Sequence, residues 1–258
     1  MVIRRIREHV TAHNWFAVAI DLGIVVAGVI IATQVNNWNE ARQDRERGHN
    51  YSIRLMDELR TTEQSMRGIR LYYADVRDHA LAALAVLRKQ GSAPDESFLV
   101  DAYQATQVFP RAARHATYDE ILQSGSLELV GSPDLRARLS NYYWRMDGLV
   151  SLDTVSPPYR ERVRSVMPYE VQQAIRAKCD EIITDLGNGL MFPRLPARCL
   201  PGIDPTAAAA AAAQIRAEPA LANDLTRTII ALDTRIFNFG KLETNAREVR
   251  QYMERIGG

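Results

Sequence analysis

Residues 15–40 read WFAVAIDLGIVVAGVIIATQVNNWNE, and this stretch decides what kind of chain follows. Between residues 15 and 35 the sole ionisable side chain is Asp21. A helix of about 20 apolar residues crosses the hydrocarbon core of a bilayer. Trp15 and Trp38 bracket the run. At about 1.5 Å per residue they stand roughly 34 Å apart along a helix, which fits one indole at each membrane interface. No later segment approaches this hydrophobicity. The sequence predicts a transmembrane anchor over 14–40 and a soluble helical domain over 41–258. Ahead of the anchor, residues 1–13 form a short basic amphipathic segment suited to the membrane surface.

The span carries its own candidate contacts. Small residues recur four apart at Ala19, Gly23 and Ala27, with Gly28 and Ala32 on a neighbouring line. That spacing lets another helix approach closely, although membrane helices are rich in Ala and Gly anyway. Asn14, Ala17, Asp21, Ile24, Gly28, Ile31, Val35 and Trp38 fall on one seam. An acid on a membrane helix faces a partner, a cavity or the interface. Asp21 therefore either meets a partner or, lying only about 9 Å inside Trp15, snorkels outward. Asn36, Asn37, Trp38 and Asn39 form a polar and aromatic belt, read either as a contact surface or as an interfacial girdle.

The same stretch resembles the N-terminal anchor of a large group of uncharacterised bacterial single-span membrane proteins, whose first span ends in Q-[IVL]-N-N-W-N-E. The match lies at Gln34, Asn36, Asn37, Trp38, Asn39 and Glu40. Members commonly carry Gly-Glu where this chain has Ile20 and Asp21. YDEILQSGSLELV over 118–130 and PDLRARLSNYY over 133–143 look like the second recurring region of that group. The resemblance implies a bacterial membrane protein with one span. It implies no activity.

Composition narrows the classes further. The 258 residues carry a formal net charge of +1, too balanced for the basic surface that nucleic acid requires. The cations are almost all arginine and alternate with acids along the helices. That pattern is a solvated face rather than a patch. Behind the anchor some 210 residues remain, enough for one or two domains with a real core.

Orientation is not decided by counting basic residues, since Arg4, Arg5 and Arg7 precede the span and Arg42, Arg45 and Arg47 follow it. A secretory signal cleaved after Ala32 is an alternative to an anchor. Ile30 and the polar NNWN run make a poor cleavage site, so the anchor is the better reading. Cys179 and Cys199 flank a Gly/Pro-rich loop and read as a disulfide, with two separate buried thiols as the alternative. A disulfide persists in an oxidising compartment. The expectation is a cytoplasmic N-terminus and a periplasmic domain.

The domain reads as all-α and elongated, with long heptad-patterned helices at its two ends. Leu55, Leu59, Thr62, Met66, Ile69, Tyr73, Val76, Ala80, Ala83 and Leu87 alternate steps of four and three. Gly48 is the one expected break between this helix and the anchor. A second seam runs through Leu225, Ile229, Leu232, Ile236, Phe239, Leu242, Ala246, Val249, Met253 and Ile256, slipping once near Gly240. The two predict an antiparallel pair, whether as an exposed coiled coil or as part of a bundle core.

Between them the sequence predicts four more helical stretches. The first covers 95–107, with Phe98, Leu99, Ala102 and Ala105 inward. The second follows a capping box at Thr117 and Glu120 and stops at Gly125, with 127–130 as a short extended or turn segment. The third starts at Ser132 and Pro133, and the fourth at Ser156 and Pro157, broken at Pro168. An alanine run over 207–213, capped by Thr206, adds a last short helix that either packs closely or fills a solvent-facing turn, with low-complexity disorder as the weaker alternative.

Catalytic motifs are scarce. Glu46 and His49 make only half of a di-iron pattern. Asp75 with His79, and His115 with Asp119, are i,i+4 pairs that more often solvate a face than hold metal. Gly187-Asn-Gly189 reads as a turn rather than a phosphate loop, and Ser124 and Ser126 lack a nucleophile-elbow context. The expectation is a protein without catalytic activity, metal or cofactor. Its partners are the lipid bilayer and another membrane protein or a second copy through the span. The alternative is a ligand-sensing bundle, which with no second span would signal through a partner.

Overall fold

The computed structural model describes residues 15–109, 115–152, 157–185 and 191–257. The basic segment 1–13, Asn14, Ser156 and the turn at Gly187-Asn-Gly189 lie outside the described residues. Among the described residues the chain is all-α apart from one small hairpin. Its first element, α1 (Trp15–Leu87), is a single helix of 73 residues, about 110 Å long at about 1.5 Å per residue. No proline interrupts it.

Gly48, expected to break α1, instead lies inside it. A Cβ there would run into the carbonyl oxygen of Leu129, so this glycine allows close packing rather than a turn. The anchor and the first heptad helix are therefore one continuous rod.

After α1 come α2 (Asp95–Gln104), α3 (Ala116–Gln123), a 3-10 turn (Ser126–Leu129) and α4 (Pro133–Leu152). Then follow α5 (Pro158–Val166), α6 (Tyr169–Lys178), β1 (Ile182–Asp185), β2 (Met191–Arg194), α7 (Pro205–Ala217) and α8 (Leu221–Gly257). Of the two conformations expected at 127–130, extended or turn, the chain largely takes the turn, a 3-10 turn entered through Gly125 at φ +66°. The capping box does not form. Glu120 pairs with Arg54 of α1, and the Thr117 N–H donates to Glu58 Oε2 at 2.7 Å. Thr206 is not the cap of α7 either. Asp204 Oδ1 accepts the N–H groups of Thr206 and Ala207, both at 3.0 Å. Pro205 takes the first helical position, where its missing N–H costs nothing.

The start of α4 follows expectation, with the Leu135 N–H donating to Ser132 Oγ at 3.2 Å. Pro168 separates α5 from α6 as predicted.

α1 and α8 pack antiparallel, and their seams form the core. Every α1 seam residue from Leu55 to Ala83 is buried. On α8 burial runs from Leu225 to Met253, with Ile236 half-covered and Ile256 exposed. Tyr73 of α1 stacks on Phe239 of α8 with ring centroids 5.9 Å apart. Polar contacts follow the same antiparallel register. Arg88 donates to Thr226 and Arg77 pairs with Asp233. Arg70 pairs with Glu243 at 3.0 Å, and Arg247 and Arg250 both reach Glu63. Partly exposed pairs contribute about 0–1 kcal/mol each, so burial carries the stability and the pairs help set register.

The other elements wrap this pair. The alanine run buries Ala208, Ala211, Ala212 and Ile215 of α7 on the side facing α2, resolving it as a close-packing face. The hairpin was not legible as strand. β1 and β2 pair antiparallel, Ile182 opposite Arg194 and Asp185 opposite Met191. Phe192 lies over Gly68 of α1, where a Cβ would come within 2.5 Å of the ring.

These contacts yield a paired prediction. Gly48→Ala should cost about 1–3 kcal/mol by overpacking against a backbone carbonyl that cannot rotate away. Gly28→Ala, with nothing within 4 Å of the added methyl, should leave stability unchanged or slightly raised. Urea unfolding of the two variants in the same detergent checks both.

Candidate functional site

The apolar end of α1 touches no other part of the described chain. An eighteen-residue window there has a mean hydropathy of 2.2 and no burial. It is one helix long and apolar enough to cross a membrane. Twelve large apolar side chains between Trp15 and Trp38 stand exposed, from Phe16 at 76% to Ile20 at 47%. Leaving them in water would cost on the order of 20 kcal/mol, more than the roughly 5–15 kcal/mol net stability of a folded domain. This surface requires lipid or a partner.

The predicted contact residues all lie on this free section. Nothing comes within 4 Å of a Cβ built on Gly23 or Gly28, and Ala27 is exposed. Asp21 is half-exposed on the same helix. Asn36 donates to Glu40 Oε1 at 2.7 Å, one turn on. Asn37, Trp38 and Asn39 are exposed.

Cys179 and Cys199 are joined in a disulfide with their Cα atoms 5.7 Å apart. The bond ties the end of α6 to the segment after the hairpin. Around it α1 and α2 provide a clasp. Asp75 accepts both Nε and Nη2 of Arg194 at 2.6 Å, and the Leu195 N–H at 3.2 Å. His79 is buried between Asp101, 2.7 Å from Nδ1, and the Pro196 carbonyl, 3.2 Å from Nε2. Asp75 and His79, one turn apart, thus hold different partners rather than each other. Beside them lies an open cleft of about 590 Å³ lined by Asp78, Ser97, Arg198 and Leu200, among others. It was not legible in the sequence, because it forms between segments far apart in the chain.

A second polar cluster joins α1, α3 and α4. Glu58 Oε1 accepts the Tyr143 hydroxyl at 2.6 Å. Burial, and then the neighbouring Glu58 charge, push that phenol above its usual value. Tyr118 stacks on Tyr143 at 4.1 Å. His115 at the start of α3 has Nδ1 2.8 Å from Asp119 and Nε2 3.1 Å from Asp147. The predicted His115–Asp119 pair therefore forms, with an unpredicted third member from α4. Burial alone would lower the His115 pKa, but Asp119 and then Asp147 override it, so the net direction is upward from 6.5. Among the described residues no group of three or more His, Cys, Asp or Glu side chains is arranged to hold a metal ion.

An all-α chain with one membrane-length helix is as far as fold and site define the class. No family model, curated protein or solved structure matches this chain.

Two predictions follow from these clusters. A histidine whose folded pKa is raised stabilises fully below its unfolded value, near 6.5, and loses that contribution as pH climbs through the folded value. Imidazole NMR should show His115 titrating above pH 6.5, and Asp147→Asn should move the titration down. For the disulfide, Cys179→Ser with Cys199→Ser should destabilise the domain by about 3 kcal/mol on loop-closure grounds, read by thermal unfolding.

Proposed function

We propose that this protein is a membrane-anchored helical interaction or scaffold protein, or an accessory subunit of an envelope complex, without catalytic activity of its own. One observation carries the reading: the apolar helix continues without a break into the heptad seam of the domain core. The span and the domain then move as one body. Whatever grips the anchor sets the position and rotation of the domain, which suits scaffolding better than a flexible tether would.

In this reading Asp21, Gly23, Ala27 and Gly28 meet another membrane helix or a second copy of the chain. An unpaired acid in hydrocarbon is costly, and small residues allow close backbone approach. Asn36, Asn37, Trp38 and Asn39 sit at the interface on the domain side. The disulfide supports an oxidising compartment for the domain, hence the periplasmic face of a bacterial inner membrane with the N-terminus cytoplasmic. The resemblance of residues 34–40 to the single-span bacterial family accords with this.

A second reading, a ligand-sensing bundle acting through a membrane partner, is favoured by the 590 Å³ cleft beside His79 and Asp101.

Gentle detergent purification with mass determination tests the first reading. The expected result is a stoichiometric membrane partner or a defined homo-oligomer, lost on Asp21→Asn. A monomer without partner overturns it and moves the search to the cleft. Thiol labelling that finds two free cysteines in the mature protein overturns the periplasmic assignment.

A further inference from the structure

α5 and α6 meet α2 around a pocket of about 200 Å³ lined by Arg160, Arg164 and Arg176. The Arg164 guanidinium lies over the Tyr103 ring, 3.7 Å from its centroid. Arg164 Nε donates to Thr106 Oγ1 at 2.8 Å and Nη2 reaches Gln107 Oε1 at 3.5 Å. Arg160 donates to the Thr106 carbonyl. These acceptors are all neutral. Among the described residues none of the three arginines has a carboxylate within the 4.0 Å of an ion pair.

Two acids share the rim but are engaged elsewhere. Asp180 Oδ1 accepts the Glu181 N–H at 2.9 Å, and Glu181 Oε1 accepts the Tyr72 hydroxyl at 2.7 Å.

Several arginines elsewhere in this chain are paired with acids, as Arg70, Arg194 and Arg247 are. Here three converge, and the most enclosed is held below the usual arginine value by burial and, against the help of Tyr103, by Arg160 and Arg176. Arg160 and Arg164 are half-buried like charges with no direct ion-pair partner, which is costly. Guanidinium forks match carboxylate and phosphate oxygens two at a time.

We propose that Arg160, Arg164 and Arg176 form a binding site for a compact oxyanion of the phosphate class, with Tyr103 and Gln107 as its wall. The source is a soluble anion rather than a headgroup of the protein's own membrane. Tyr72, beside the pocket through Glu181, lies 34 residues beyond Trp38 on α1, about 51 Å along the axis. The site does not depend on which partner the anchor binds.

The test is a titration of the full chain in nanodiscs with inorganic phosphate, ionic strength held constant with sodium chloride. Saturable one-to-one binding is expected. Arg176→Gln, at an exposed position, should weaken it at least tenfold with an unchanged melting temperature in the absence of phosphate. Asp180→Asn, which keeps an acceptor for the Glu181 N–H and removes a rim charge, should tighten it severalfold. No binding beyond the chloride control, or equal affinity in Arg176→Gln, overturns the site. Nanodiscs with and without phosphatidylglycerol should give the same affinity. Competition by that lipid overturns the soluble-anion assignment and gives the pocket to a headgroup.

Discussion

The antiparallel contact between α1 and α8 is the constraint on which the rest of the molecule depends. Each helix presents a stripe at alternating steps of three and four, and each stripe is covered chiefly by the other. At about 25 cal/mol per Å² of apolar surface removed from water, such a seam outweighs its accompanying ion pairs. Tyr73 against Phe239, and Glu63 between Arg247 and Arg250, help hold the register. With the register set, the smaller helices have a fixed surface to cover: α2 packs on α1 and carries α7, while α4 packs on α8.

Continuity of α1 carries this constraint into its apolar end, which is long and apolar enough to cross a membrane. A helix with a break at Gly48 would leave the domain free to swing. Instead the missing side chain at Gly48 lets the loop before α4 lie directly on the helix, with Leu129 against its backbone. A residue that costs about 1 kcal/mol in helix propensity is kept where another element needs the space. Gly68 serves the hairpin in the same way through Phe192. Both glycines mark where neighbouring segments dock on the rod, and neither is a hinge.

Around the disulfide the chain adds polar fastening to the burial of Ile175, Phe192 and Leu195. Asp75 with Arg194, and His79 with Asp101 and Pro196, fix the segment after β2 to α1 and α2. The bond between Cys179 and Cys199 closes the same region from the other side. The arginine pocket lies at one edge of this clasp and the open cleft at another. The arginine pocket is walled mainly by α2, α5 and α6, while the cleft is lined by α1, α2 and the segments after α1 and β2.

Length and hydropathy determined the membrane-length apolar helix, while periodicity determined the all-α class, both heptad seams and their pairing, since apolar burial depends on the repeat of side chains along each helix. Periodicity also located the inward residues Phe98, Leu99, Ala102 and Ala105, which are all buried. Local signals fared less well where a tertiary contact competed. Thr117 and Glu120 have capping-box spacing, yet Glu58 takes the Thr117 N–H and Arg54 takes Glu120. Gly48 looks like a break but is held in helix by what packs on it. The separate partners of Asp75 and His79, the Asp147 contact to His115 and the arginine pocket join residues far apart in sequence. No local rule specifies such contacts, because they exist only once packing has brought the elements together.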